Sequence, residues 1–200
     1  AEILLRAHYQ SQSLNTDDGY GAFIQERYGA TPTLTGTGFS GFYRGSDSPL
    51  GFGLEISSLG SDITYTTLNG EEQTNTLQIQ STLLLATYAM GSLELGAGFG
   101  YNQLTRTFYG YQDVHIVTTN IDDQEGTETI TTDGDVTILQ ALYRLGFGKL
   151  SLDGGLRYII SEHEIPSSDA RPAYSDLGSP ETSTFDLGGT SLLLSLTYQL

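Results

Sequence analysis

The chain is 200 residues long, lacks Cys, and holds 25 Gly, 13 Tyr and 8 Phe, an all-β balance that suits a single domain over residues 1–200. A net charge of −16, with 8 Lys and Arg against 24 acidic residues, excludes a nucleic-acid partner, because phosphate binding needs clustered cations. Without Cys there is neither a disulfide framework nor thiol chemistry, and no run of 18 apolar residues exists from which a membrane-crossing helix could form.

The start, Ala1-Glu2, suits a mature protein cut after a small-residue signal site. From there the chain alternates apolar and polar residues with period two. Residues 2–13 carry Ile3, Leu5, Ala7 and Tyr9 on one face and Leu4, Arg6, His8 and Gln10 on the other. Residues 33–44 predict a second, Gly-rich strand, and after the turn at 45–49 a third sets Leu50, Phe52, Leu54 and Ile56 against Gly51, Gly53, Glu55 and Ser57. In the fourth, 76–89, Leu77, Ile79, Leu83 and Leu85 are set against Gln78, Gln80 and Thr82, with Leu84 and Tyr88 blurring the pattern. A tight turn at 89–92 leads to the fifth, where Leu93, Leu95, Ala97, Phe99 and Tyr101 alternate with Glu94, Gly96, Gly98, Gly100 and Asn102.

Residues 136–146 form a sixth, with Leu139, Ala141, Tyr143 and Leu145 opposite Gln140, Leu142 and Arg144. After 146–149 the seventh places Leu150, Leu152, Leu156, Tyr158 and Ile160 against Ser151, Asp153, Gly155 and Arg157, and the eighth runs from about 185 to Leu200. Long connections at 14–32, 66–75, 110–135 and 162–184 alternate with short ones. That order predicts an eight-stranded antiparallel up-and-down transmembrane β-barrel with both termini on the short-turn side.

Which face meets solvent decides the class. A soluble barrel of the lipocalin or avidin kind would carry many Lys, Glu and Arg outside. Here the polar face is mostly Gly, Ser, Thr, Gln and Asn, residues small enough for an interior. The apolar face is therefore predicted to meet lipid, and the sheet must close, because open edges there leave backbone groups unpaired at several kcal/mol each. Charges on the inner face, Arg6, Arg144 and Arg157 with Glu55, Glu94 and Asp153, are predicted to form an ion-pair core, since buried charges must pair to offset desolvation. A gated ion path is the alternative, disfavoured by the width of eight strands. His8 belongs to the same interior. Tyr43, Phe147 and Tyr198 near the short turns, and Tyr9, Tyr109 and Tyr158 towards the long loops, suit two interfacial girdles.

With these strands and the terminal pattern Leu192, Leu194, Leu196, Tyr198 and Leu200, the chain resembles the small outer-membrane barrels of the OmpA transmembrane-domain and OmpX type. The resemblance implies a bacterial outer membrane, surrounding lipid and lipopolysaccharide, short periplasmic turns and long extracellular loops. It also implies insertion by the barrel-assembly machinery, which would read the terminal segment as its signal. The family usually ends in Phe, so Leu200 weakens that signal. A peptidoglycan-binding domain after the barrel, and with it a cell-wall tether of the OmpA kind, is not expected.

The long loops hold 17 of the 24 acidic residues against only Arg27 and Arg171. Solvation of an exposed surface accounts for this. Divalent-cation binding, with Ca as the ion, is the sharper reading, through Asp122, Asp123, Glu125 and Glu128, or Asp133 and Asp135, as hard oxygen ligands, though the spacing is not that of an EF-hand. No cofactor motif, nucleophile elbow or zinc spacing occurs. At one rim lie Ser161, Glu162, His163 and Glu164, with His115 in the third loop. Glu162 and His163 point to opposite faces of a strand, so an exposed loop histidine is expected rather than the acid–base pair of a lipid A hydrolase. The expected function is a non-enzymatic structural or surface-interaction barrel with a possible extracellular protein or cell-surface partner; the alternatives are a narrow channel or carrier and that rim hydrolase.

Overall fold

The computed structural model describes residues 2–15, 25, 33–66, 70, 72–109, 127–164 and 184–200. Alternation becomes strand throughout: β1 (Glu2–Leu14), β2 (Thr33–Arg44), β3 (Leu50–Thr66), β4 (Glu72–Met90), β5 (Leu93–Tyr109), β6 (Thr127–Phe147), β7 (Leu150–Glu164), β8 (Thr184–Asp186) and β9 (Gly189–Gln199). The hydrogen-bonded order is β6-β5-β4-β3-β2-β1-β9-β7, and β6 pairs with β7, so the sheet closes. β8 and β9 pair with β7 in one register, Asp186 opposite Glu162 and Gly189 opposite Ile159, and are one stave interrupted at Leu187 and Gly188. There the Gly188 N–H donates to the Asp186 carboxylate at 2.6 Å, and the Leu187 N–H to the Ser161 carbonyl at 2.9 Å. The result is a closed antiparallel barrel of eight staves. Its tight hairpins turn at Gly91 and Gly148, whose φ values of 63° and 72° are the left-handed backbone that two-residue turns require.

Register fixes the width. From Leu4 the paired residues run through Phe42, Gly53, Leu85, Gly98, Ile138, Ile159 and Gly189 and return to β1 at Leu14, ten residues farther along. A stagger of that size tilts the strands by roughly 40° and leaves a lumen that side chains can fill.

Near the short turns the barrel is apolar outside. On β7 the outward residues from Leu150 to Ile160 are apolar apart from Gly154; ten residues at about 3.3 Å each, so tilted, rise about 25 Å. Ile3, Leu5 and Tyr9 on β1, Phe52 and Leu54 on β3, Phe99 on β5, and Leu192, Leu194 and Leu196 on β9 continue the belt around the molecule. Such a surface suits hydrocarbon and not water.

Towards the long loops the phase of the alternation reverses. Ser13, Thr35, Thr37, Gln78, Gln80 and Thr137 now point out, while Leu14, Leu34, Leu59, Ile63, Leu77, Ile79, Leu104 and Leu187 are buried inside. This end is built as a water-soluble sheet is built.

The reversal corrects the expected faces of the fourth strand: Leu77, Ile79, Leu83 and Leu85 face inward, and Gln78, Gln80 and Thr82 outward with Leu84 and Tyr88. Leu77 and Ile79 lie above the belt. Leu83 and Leu85 fill space left by Gly100 and Gly98 on β5; a Cβ on Gly98 would collide with the Leu85 side chain. Two connections are also shorter than expected, because β3 reaches Thr66, β4 begins at Glu72, β5 reaches Tyr109 and β6 begins at Thr127. Asp133 and Asp135 therefore lie on a strand.

Candidate functional site

Alternation sends Arg6, Arg44, Glu94, Arg144 and Asp153 into the lumen at the short-turn end, where their pairing partners differ but their side chains converge. Glu94 Oε1 accepts from Arg6 Nη2 at 2.7 Å, and its Oε2 accepts from the Nη2 atoms of Arg44 and Arg144, both at 3.0 Å. Asp153 accepts from Arg144 Nε at 3.0 Å and from the Thr197 hydroxyl at 2.6 Å. The Arg6 guanidinium also lies over the Phe42 ring, 4.9 Å from its centroid. Three guanidiniums thus share two carboxylates. Arg44 is absent from the sequence-derived set, although its position on the same side of β2 as Leu34 and Phe42 gave it an inward parity that could have been read.

A second cluster lies deeper. Arg157 grips Glu55 with both terminal nitrogens, at 2.6 and 2.9 Å, and donates further to the side-chain oxygens of Gln10 and Gln140. His8 Nε2 stands 3.8 Å from the same Glu55 carboxylate. Its ring occupies the space over Gly38, where any Cβ would overlap it. A bidentate pair this well satisfied can persist out of water.

Farther up, Asn102, Ser161, His163 and Thr132 form a third group. His163 Nε2 meets Asn102 Oδ1 at 2.7 Å, and since an amide oxygen only accepts, Nε2 carries the proton. His163 Nδ1 is 3.1 Å from the Thr132 hydroxyl, and Asn102 Nδ2 donates to Ser161 Oγ at 2.9 Å. This corrects the expectation of an exposed loop histidine: His163 is fully buried, its ring resting on Gly134, because β7 continues to Glu164 and residue 163 shares the inward parity of Arg157 and Ser161. Glu162 points outward, away from both. Ser161 and His163 share a face and both bond Asn102, inside the wall.

Between the second and third groups lies a cavity of about 20 Å³, lined by Gln10, Gln12, Asn102 and Arg157 on one side and Leu59, Ile79 and Leu83 on the other. That is room for about one water molecule. The terminal residues Leu192, Leu194, Leu196, Tyr198 and Leu200 all face outward. Asp122, Asp123, Glu125 and His115 lie outside the described residues, as does the Glu128 side chain. Among the described residues no group of three His, Asp or Glu is placed to hold a metal ion.

A closed eight-stave barrel, apolar outside and filled within, matches solved structures over its whole length. The attachment invasion locus protein Ail of Yersinia pestis, solved in complex with the heparin analogue sucrose octasulfate, superposes with a TM-score of 0.56 at 8% identity, covering 100% of this chain and 98% of that one. OprG of Pseudomonas aeruginosa gives 0.51 at 12% identity, covering 100% and 95%, and the Neisserial surface protein NspA 0.50 at 9%, covering 100% and 97%. The chain has the fold of the small eight-stranded outer-membrane barrels. No protein-family model matches the chain, and a search of the curated proteins finds no sequence relative.

Proposed function

We propose that the protein is a non-conducting surface barrel of the bacterial outer membrane that holds an acidic, sheet-backed platform outside the cell for a basic partner. One contrast carries this reading. The lumen is filled by its own side chains, with a cavity of only about 20 Å³, whereas β3 to β6 run on past the belt. On that projecting part, and beside it on β7, the exposed charged side chains among the described residues are acidic: Asp62, Glu72, Asp133 and Asp135, with Glu162 opposite Asp135. A rigid wall bearing one sign of charge steers the opposite sign. The ligand in the Ail complex is a polyanion; a chain of net charge −16 favours the reverse. In this reading the short turns are periplasmic, lipid and lipopolysaccharide surround the belt, and the assembly machinery reads Leu192 to Leu200.

The test uses cells displaying the protein and a fluorescent polylysine probe. Binding is expected to exceed that of cells displaying a variant with Asp133 and Asp135 changed to Asn and Glu162 to Gln, and to fall steeply as salt rises. Equal, salt-insensitive binding by both would overturn the proposal.

A further inference from the structure

The belt is not smooth. Across the outside of β2 to β5 runs an apolar groove of about 940 Å³. Its floor is Gly41, Ala86 and Ala97, and its walls include Phe52, Leu54 and Phe99. Ala86 and Ala97 are direct cross-strand partners and lie side by side, with Phe52 opposite Ala86, while Gly41 lies opposite Leu54, so each small residue leaves a low point beside a tall neighbour. Phe52 and Phe99, at 61% and 63% exposed, stand free of the sheet as walls must.

We infer that this groove holds one acyl chain of a membrane phospholipid in a fixed place, unlike the mobile lipid against the rest of the belt. The inference rests on the belt facing lipid, and the groove is continuous with that surface. An apolar trough calls for an apolar rod, and its lining loses dispersion contacts wherever the trough is left unfilled. A second copy of the chain fits poorly, because a twofold interface must be self-complementary and two concave troughs face to face enclose a void. Ile3 and Tyr43 bring one end of the groove towards the short turns, which the proposed orientation sets in the phospholipid leaflet.

Two glycines make the test clean. A Cβ on Gly41 would meet nothing nearer than Leu5 Cδ2 at 3.8 Å, and one on Gly154, outside the groove on β7, nothing nearer than the Leu193 carbonyl oxygen at 3.9 Å. Gly41→Leu therefore fills the groove without straining the sheet, and Gly154→Leu adds the same bulk elsewhere. Protein reconstituted in phosphatidylethanolamine and phosphatidylglycerol vesicles is re-extracted into detergent and its retained lipid counted by native mass spectrometry, with unheated gel mobility confirming the barrel. Wild type and Gly154→Leu should each keep one phospholipid, and Gly41→Leu should lose it by about fivefold or more; Ala97→Phe repeats the filling should Gly41→Leu not fold. Equal retention in filled and unfilled proteins, no retention in wild type, or a wild-type dimer abolished by Gly41→Leu would each overturn the inference. None of these results depends on polylysine binding.

Discussion

Glu94 is the keystone of the lower cluster, and replacing it with Gln keeps its shape while removing its charge. Three guanidiniums then face Asp153 alone, where two carboxylates stood before. Breaking a buried ion pair costs about 3–5 kcal/mol. The Arg44 and Arg144 side chains are 10% and 20% exposed, so water reaches them, whereas Arg6 at 2% bears most of the loss. Glu94→Gln should therefore destabilise by about 3 kcal/mol, the lower end of that range. Removing the surplus cation acts in the opposite sense: Arg44→Met leaves two guanidiniums with two carboxylates and should change stability by no more than about 1 kcal/mol. Urea unfolding of protein in phospholipid vesicles, followed by the band shift of unheated samples, measures both. If Arg44→Met costs as much as Glu94→Gln, packing and not charge balance holds the cluster, and the reasoning is refuted.

Gly38→Ala should destabilise strongly, because its methyl group would overlap the His8 ring and crowd the Ile56 carbonyl oxygen at 2.8 Å, and His8→Ala in the same chain should recover only the part due to the ring; a neutral Gly38→Ala would mean that ring and backbone both have room to move. In planar bilayers the protein should show no steady single-channel steps, given a lumen cavity of about 20 Å³; steps that change with Glu55→Gln or Arg157→Met would defeat the filled-lumen reading. Leu77→Ala, at 1% exposed inside the upper half, should cost about 2–5 kcal/mol, whereas Gln78→Ala beside it should be nearly silent. The reverse order would put the faces of β4 back where the sequence pattern alone suggests.

The barrel was legible because period-two alternation and alternating connection lengths report strand number and closure together, and because Gly, Ser and Gln opposite Leu and Phe report which side is narrow. Inward parity on β1, β3, β5, β6 and β7 likewise located Arg6, Glu55, Glu94, Arg144, Asp153 and Arg157 on the lumen side before any contact between them was visible. Parity cannot say which charge meets which. That depends on the ten-residue stagger, which brings Arg157 on β7 onto Glu55 on β3 across the lumen and not onto a nearer neighbour.

The faces of β4 and the exposure of His163, both misread from the pattern, have one physical origin. In the proposed orientation each strand passes from hydrocarbon to water along its length, so the rule relating apolar to outside changes sign part-way up: on β3, Leu54 and Ile56 point out, but Leu59 and Ile63 point in. Holding one sign for a whole strand inverts whichever end is longer, and β4 continues well above the belt. The slip itself is readable, as a short polar run between the phases: Ser57-Ser58 on β3, Gln80-Ser81-Thr82 on β4 and Asn102-Gln103 on β5. Those runs mark the upper boundary of the apolar belt on these three strands. Above them Leu104 and His163 lie in an interior that shuns water, so a histidine near a loop is buried there for the same reason that a leucine is. The acidic side chains above that line, Asp62, Asp133, Asp135 and Glu162, point outward by the same rule that turns Leu59 and Leu77 inward.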